Sequence, residues 1–216
     1  MEDYIKYIHN LTLLFFLLMP VFAFPEAPSK VGPSHKEEAS AFEKAADRFL
    51  ENEAYRDAID YYVRGMDLSR HLNDKRTYSH CLFGIGKAYS HIGDVDKSLF
   101  YLKKSYDEAV SLNDTYLMAD AAHLLAASYC IKQDVKGARC WLKVFEGSAW
   151  DKTVTKAYYT AYVRMFIQMM EGNANLAIRY GREAIRCAER SRLDDSHIFV
   201  CYGAYVYLFL LKGDYR

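Results

Sequence analysis

The chain lacks the local signatures from which catalysis is usually read. Its 216 residues hold no GxSxG elbow, no HExxH pair and no Walker phosphate loop, so nothing points to acyl transfer by an exposed serine, to zinc hydrolysis or to a nucleotide cradle. Gly84-Ile85-Gly86-Lys87 has the look of a phosphate turn but lies inside a helical pattern, without the required spacing. It also lacks an excess of either charge, since Lys plus Arg equals Asp plus Glu at 28 each. A neutral balance supplies no basic field to displace counterions from a phosphate backbone, which argues against nucleic acid as a partner. The five cysteines, Cys81, Cys130, Cys140, Cys187 and Cys201, form no CxxC pair and lie near no metal-spaced histidines. An odd, scattered set predicts buried thiols that serve as small hydrophobes, with one disulfide the alternative in an oxidising compartment.

The apolar run near the N-terminus, Leu11 to Phe24, is 14 residues long and broken only by Thr12. As a helix it reaches about 21 Å, short of the roughly 30 Å hydrocarbon layer. With Pro20 before Val21-Phe22-Ala23 and a stretch carrying Pro25, Pro28 and Pro33 behind it, the run reads as an export signal cleaved after Ala23, followed by a linker over 24–38. Glu2 and Asp3 outweigh Lys6, an unusual start for such a signal. No cysteine directly follows the run, the first being Cys81, which argues against a bacterial lipoprotein anchor.

From Ala39 onward the chain repeats with a period of 40. Ala46, Gly86 and Ala126 are spaced so, as are Phe49, Tyr89 and Tyr129, and then Ala58, Ser98 and Ala138. Apolar residues recur at steps of three and four within each unit, which predicts two helices per unit. The break between them reads Gly93-Asp94, Gln133-Asp134, Gly172-Asn173 and Gly213-Asp214, a helix stop followed by a helix cap. Between units the punctuation is Leu72-Asn73-Asp74, Leu112-Asn113-Asp114 and Leu193-Asp194-Asp195. The small residues are expected where the paired helices approach, Ala46 against Ala58, Gly86 against Ser98 and Ala126 against Ala138, with Phe49, Tyr89 and Tyr129 plugging the space toward the next unit.

This pattern resembles the tetratricopeptide repeat over residues 39 to 216, in the long variety often found in bacterial regulatory proteins and sensor ectodomains. The resemblance implies an all-α, right-handed superhelical solenoid of antiparallel helix pairs, about four and a half repeats long. In the fourth unit Met165 and Gln168 stand where a small residue and an aromatic are expected, so that helix packs differently or its register slips by one. The fifth unit offers a first helix around Phe199 to Leu211, then ends at Arg216. An apolar helix without its partner suggests a frame that continues, or a homodimer through that helix.

The resemblance also implies a concave wall of first helices. Its lining is Glu43, Asp47 and Leu50, then His80, Phe83 and Lys87, then Asp120, His123 and Ala127, then Tyr159, Tyr162, Phe166 and Met169. The partner-binding groove is placed at Phe83, Lys87, His123, Tyr159, Tyr162, Phe166 and Met169, with unit four serving equally well as plain core. His80 and His123 are expected to be exposed histidines on a wet face; no metal, cofactor or catalytic residue is expected. Glu43 and Asp47 lie one turn apart and resemble paired carboxylates, but on a terminal repeat they read as solubilising. The carboxylate clamp known in this family is not implied, because its places hold Glu43, Phe83, His123 and Tyr162. Arg179, Arg182, Arg186 and Arg190 form a stripe expected on the outer, solvated face.

The function so implied is that of an exported, non-catalytic scaffold for a protein or peptide, the sensory or assembly part of a bacterial envelope protein. Contact with a membrane would come only through the N-terminal signal or a missing C-terminal region. The alternative is a cytoplasmic regulatory module of a transcription regulator. Fusing Met1 to Ser34 to a reporter active only outside the cytoplasm separates the two.

Overall fold

Turn chemistry sets the frame of this molecule. In the computed structural model, which describes residues 35–149, 153–191 and 202, the described helices run α1 His35–Glu51, α2 Tyr55–His71, α3 Lys75–Ile92, α4 Val95–Leu112, α5 Thr115–Ile131, α6 Val135–Glu146, α7 Thr153–Met170 and α8 Ala174–Ser191. All belong to one compact unit, His35–Arg216. Asp74, Asp94, Asp114 and Asp134 each cap the following helix, accepting from the backbone N–H of Thr77 at 3.3 Å, Lys97 at 3.2 Å, Leu117 at 3.0 Å and Gly137 at 2.9 Å. Such a cap satisfies an N–H that the helix leaves without a partner. The residue before each cap turns left-handed, with φ 56° at Asn73, 87° at Gly93, 54° at Asn113 and 60° at Gln133. The first hairpin uses Glu53 at φ 60°, with no side-chain cap at Ala54, a turn that no sequence signal marked.

The result is an all-α solenoid of helix pairs, α1/α2, α3/α4, α5/α6 and α7/α8, in which each helix packs on its successor. The small residues lie at the hairpin seams as expected. Ala46, Ala58, Ser98, Ala126, Ala138 and Ala177 are fully buried, and a Cβ on Gly86 would sit 2.7 Å from Leu102 Cγ. The fourth unit keeps register with 39 residues instead of 40. Met165 is fully buried against Ala177 and Ile178, and Gln168 hydrogen-bonds Asn173 across the turn at 3.1 Å.

The structure corrects two expectations. The rings that were to plug the space toward the next unit meet the second helix of their own unit first: Phe49 lies 4.9 Å from Tyr61, Tyr89 stacks at 5.8 Å on Tyr101, and Tyr129 covers Gly137, whose Cβ would fall 2.4 Å from the ring. Each ring thus closes the hairpin that carries it, opposite a position kept small or flat. Nor are all the thiols buried. Cys81 and Cys130 are, and burial pushes the Cys130 thiol up to about 12, which leaves it inert. Cys140 is exposed on α6 and Cys187 is half-buried on α8, because each sits one step off its helix's apolar stripe.

Helix α1 begins at His35, within the stretch read as linker. The signal segment over 1–23, the Leu193-Asp194-Asp195 and Gly213-Asp214 punctuation, Cys201 and the fifth-unit helix apart from Tyr202 lie outside the described residues. Among the described residues no helix is long and apolar enough to cross a membrane.

Candidate functional site

One side of the array is walled by α1, α3, α5 and α7. These first helices touch one another in that order, and more extensively than any two successive second helices do. The closer spacing makes the first-helix side the inner one. Its lining changes character from one end to the other.

At the α1–α3 end the wall is polar and acidic. Helix α1 brings Glu43 and Asp47, α3 brings His80, and the cap of α5 brings Asp114. His80 stands between carboxylates of the units on either side, with Nδ1 3.7 Å from Glu43 Oε1 and Nε2 3.7 Å from Asp114 Oδ2. Asp47 is exposed and accepts a hydrogen bond from the buried Tyr62 hydroxyl at 2.5 Å. Burial and that carboxylate hold the Tyr62 phenol far above its usual range, so it remains a donor at all ordinary pH.

Glu43 is held above the ordinary carboxyl range, chiefly by burial; His80 opposes this, while Asp47 and Asp74 add to it. A carboxyl that keeps its proton to higher pH when folded than when unfolded makes stability fall as pH rises from the unfolded value toward the folded one. Replacing Glu43 with Gln is therefore expected to stabilise the fold at pH 7 and to make no difference near pH 4. Urea unfolding of both proteins across that range checks it, and a Gln variant less stable at pH 7 would show that the His80 contact outweighs burial.

At the α7 end the wall is aromatic. Tyr162 meets Phe166 edge-on at 4.9 Å, and behind it stacks at 5.9 Å on Tyr158, which is 2% exposed and packs in the core against α8. Tyr159, Tyr162, Phe166 and Met169 are all half-buried. Their inner faces rest on core: Tyr162 and Phe166 on the cluster around Phe145 and Val163, Met169 on Met165 and Ala177. These residues are thus partly exposed while packed on the core.

His123 departs from its expected place. It is 8% exposed, with its ring 4.2 Å from Tyr159 in a near-parallel stack and 5.5 Å from Phe145. The insertion of Phe145 from the short helix α6 closes over this position, so His123 supports Tyr159 from below and does not line the wall. Phe83 and Lys87 are half-buried on α3 and belong to none of the described core clusters. Asp120 and Ala127 are half-buried on α5. The structure thus gathers Tyr159, Tyr162 and Phe166 into one patch and leaves Phe83 and Lys87 on α3.

Two features of the wall had only a weak trace in the sequence. Glu43 and His80 were both assigned to the lining, yet their 3.7 Å approach depends on the way α1 lies against α3. Asp114 was read as a cap, and it serves His80 as well through its second oxygen. Among the described residues, no group of three His, Cys, Asp or Glu side chains is placed to hold a metal. Arg179, Arg182, Arg186 and Arg190 are exposed on α8.

No protein-family model matches this chain, and no curated protein matches it in sequence.

Proposed function

We propose that the array is a non-catalytic scaffold of the tetratricopeptide type, which holds a protein or peptide segment along the wall of first helices. The reading is supported above all by the patch of Tyr159, Tyr162 and Phe166 on α7, whose rings contact one another or the core behind them and remain partly exposed. Rings fixed in advance lose little entropy on binding and concentrate contact energy. Glu43, Asp47 and Asp114 at the other end favour a segment with basic residues at that end and apolar anchors over α7. In this reading the chain is exported and forms the sensory or assembly part of a bacterial envelope protein.

A random peptide library panned against the full chain tests it. Selected peptides are expected to carry an apolar or aromatic anchor and to bind Phe166→Ala more weakly by about 1 to 2 kcal/mol, with a smaller loss in Lys87→Glu or Phe83→Ala. Thermal melting of each variant separates lost contact from lost fold. Affinities that survive in all three variants would remove the wall as the site.

A further inference from the structure

The outer groove between successive second helices is filled at two junctions and open at the third. The fully buried Ala58, Ser98, Ala138 and Ala177 fix the register of α2, α4, α6 and α8. By that register Met66, Tyr106 and Glu146 are equivalent, as are Tyr101, Trp141 and Tyr180. At the first junction Met66 and Tyr101 pack on one core cluster. At the second, Tyr106 and Trp141 meet edge-on at 4.9 Å, and Lys103 lies 5.6 Å above the Trp ring while pairing with Asp107 at 2.9 Å.

At the third junction the ring is missing. Glu146 replaces it, and a cleft of about 510 Å³ opens between α6, α7 and α8, floored by Leu142 and Ile167. The cleft is open to solvent and rimmed mostly by charged side chains, so it could cover one face of a small ligand. The Glu146 carboxylate turns to Arg164, 2.9 Å away, whose guanidinium lies 5.6 Å over the Tyr180 ring. Lys143 is the counterpart of Lys103, but Gly147 stands where Asp107 did. Among the described residues Lys143 has neither an ion-pair nor a ring partner, and it is exposed at the cleft. The charge at this cleft without a partner is therefore positive.

We infer that this cleft is a ligand site, separate from the wall of first helices, for a small aromatic carboxylate. The ring takes the space that the Tyr106 ring occupies one unit earlier, over Leu142 and Ile167 and beside Tyr180. The carboxylate pairs with Lys143. The Arg164 guanidinium, paired with Glu146 and 5.6 Å over Tyr180, is a further planar neighbour for the ring.

The probe is 2-naphthoate, titrated into the full chain and followed by backbone amide shifts and calorimetry. Binding is expected in the micromolar to millimolar range, with shifts centred on α6 and α7. Acetate, which lacks the ring, and 2-naphthylmethanol, which lacks the charge, should each bind far more weakly. Lys143→Glu changes an exposed residue and should weaken naphthoate about tenfold or more, since a charge-assisted contact becomes a repulsion. Glu146→Tyr restores the ring of the preceding junction and should abolish binding. If that variant does not fold, Lys143→Glu decides alone. Failure of naphthoate to bind, equal binding of the alcohol, unchanged affinity in Lys143→Glu, or shifts centred elsewhere would each overturn the site. Peptide binding to the wall of first helices is unaffected by any of these results.

Discussion

Gly84→Ala is expected to lower the stability of the array by about 2 kcal/mol, although alanine is the better helix former by about 1 kcal/mol. Gly84 lies in the middle of α3, and the Tyr62 ring from α2 crosses directly over it. A Cβ there would sit 2.3 Å from Tyr62 Cζ and within 2.6 Å of two more ring atoms. The ring has no retreat, being 2% exposed and tied through its hydroxyl to Asp47. Overpacking of this kind costs about 1 to 3 kcal/mol, which outweighs the gain in propensity. The sign should reverse once the ring is gone: in a Tyr62→Leu background, Gly84→Ala is expected to stabilise by up to about 1 kcal/mol. Urea unfolding of the four proteins of this cycle reads both signs. A stabilising Gly84→Ala in the native background would mean that the ring shifts freely, and that Gly84 carries no constraint from its neighbour.

The same glycine shows where sequence reasoning reaches and where it stops. The caps at Asp74, Asp94, Asp114 and Asp134 were legible because each bonds an N–H three residues ahead, and that geometry belongs to the local chain. The small residues at the seams were legible for a related reason, since two helices can approach only where side chains are short. The repeat carried this register into the fourth unit, where Met165 remains in line despite its size. The direction of longer side chains was not legible. Phe49 and Tyr89 select among rotamers according to what the facing helix leaves open, and that is fixed only when both helices are in place. The resemblance placed His123 on the wall by its position in the repeat, while its burial depends on Phe145, twenty-two positions later on a different helix. The pairs Lys132 with Asp96 at 2.7 Å and Arg139 with Glu171 at 2.6 Å join residues more than thirty positions apart, with no local pattern to announce them. The cleft beside Glu146 belongs to the same class. It depends on which residues stand at equivalent places of three helices, and no single stretch of chain carries that.

Phe145→Ala is expected to have the largest effect of all, about 3 to 5 kcal/mol, the range for removing a fully buried ring. Phe145 is 0% exposed, one residue from the end of α6, and packs with Ala119, Ala122, Val163 and Ile167. Its ring lies 5.5 Å from that of His123 on α5 and 5.8 Å below the Lys156 amine of α7. One side chain therefore joins three helices of two units. Helix α6 has 12 residues where its neighbours α5 and α7 have 17 and 18, so fewer other contacts are left to hold its end. In a solenoid stability is close to a sum over units and the interfaces between them, and damage at one interface need not spread evenly. Amide hydrogen exchange should thus quicken most in α5, α6 and α7, while α1 and α2, whose core is centred on Ala46, Ala58 and Tyr62, keep most of their protection. An equal loss in α1 and α2 would mean that the units share one cooperative core, and the additive description of the array would then have to be given up.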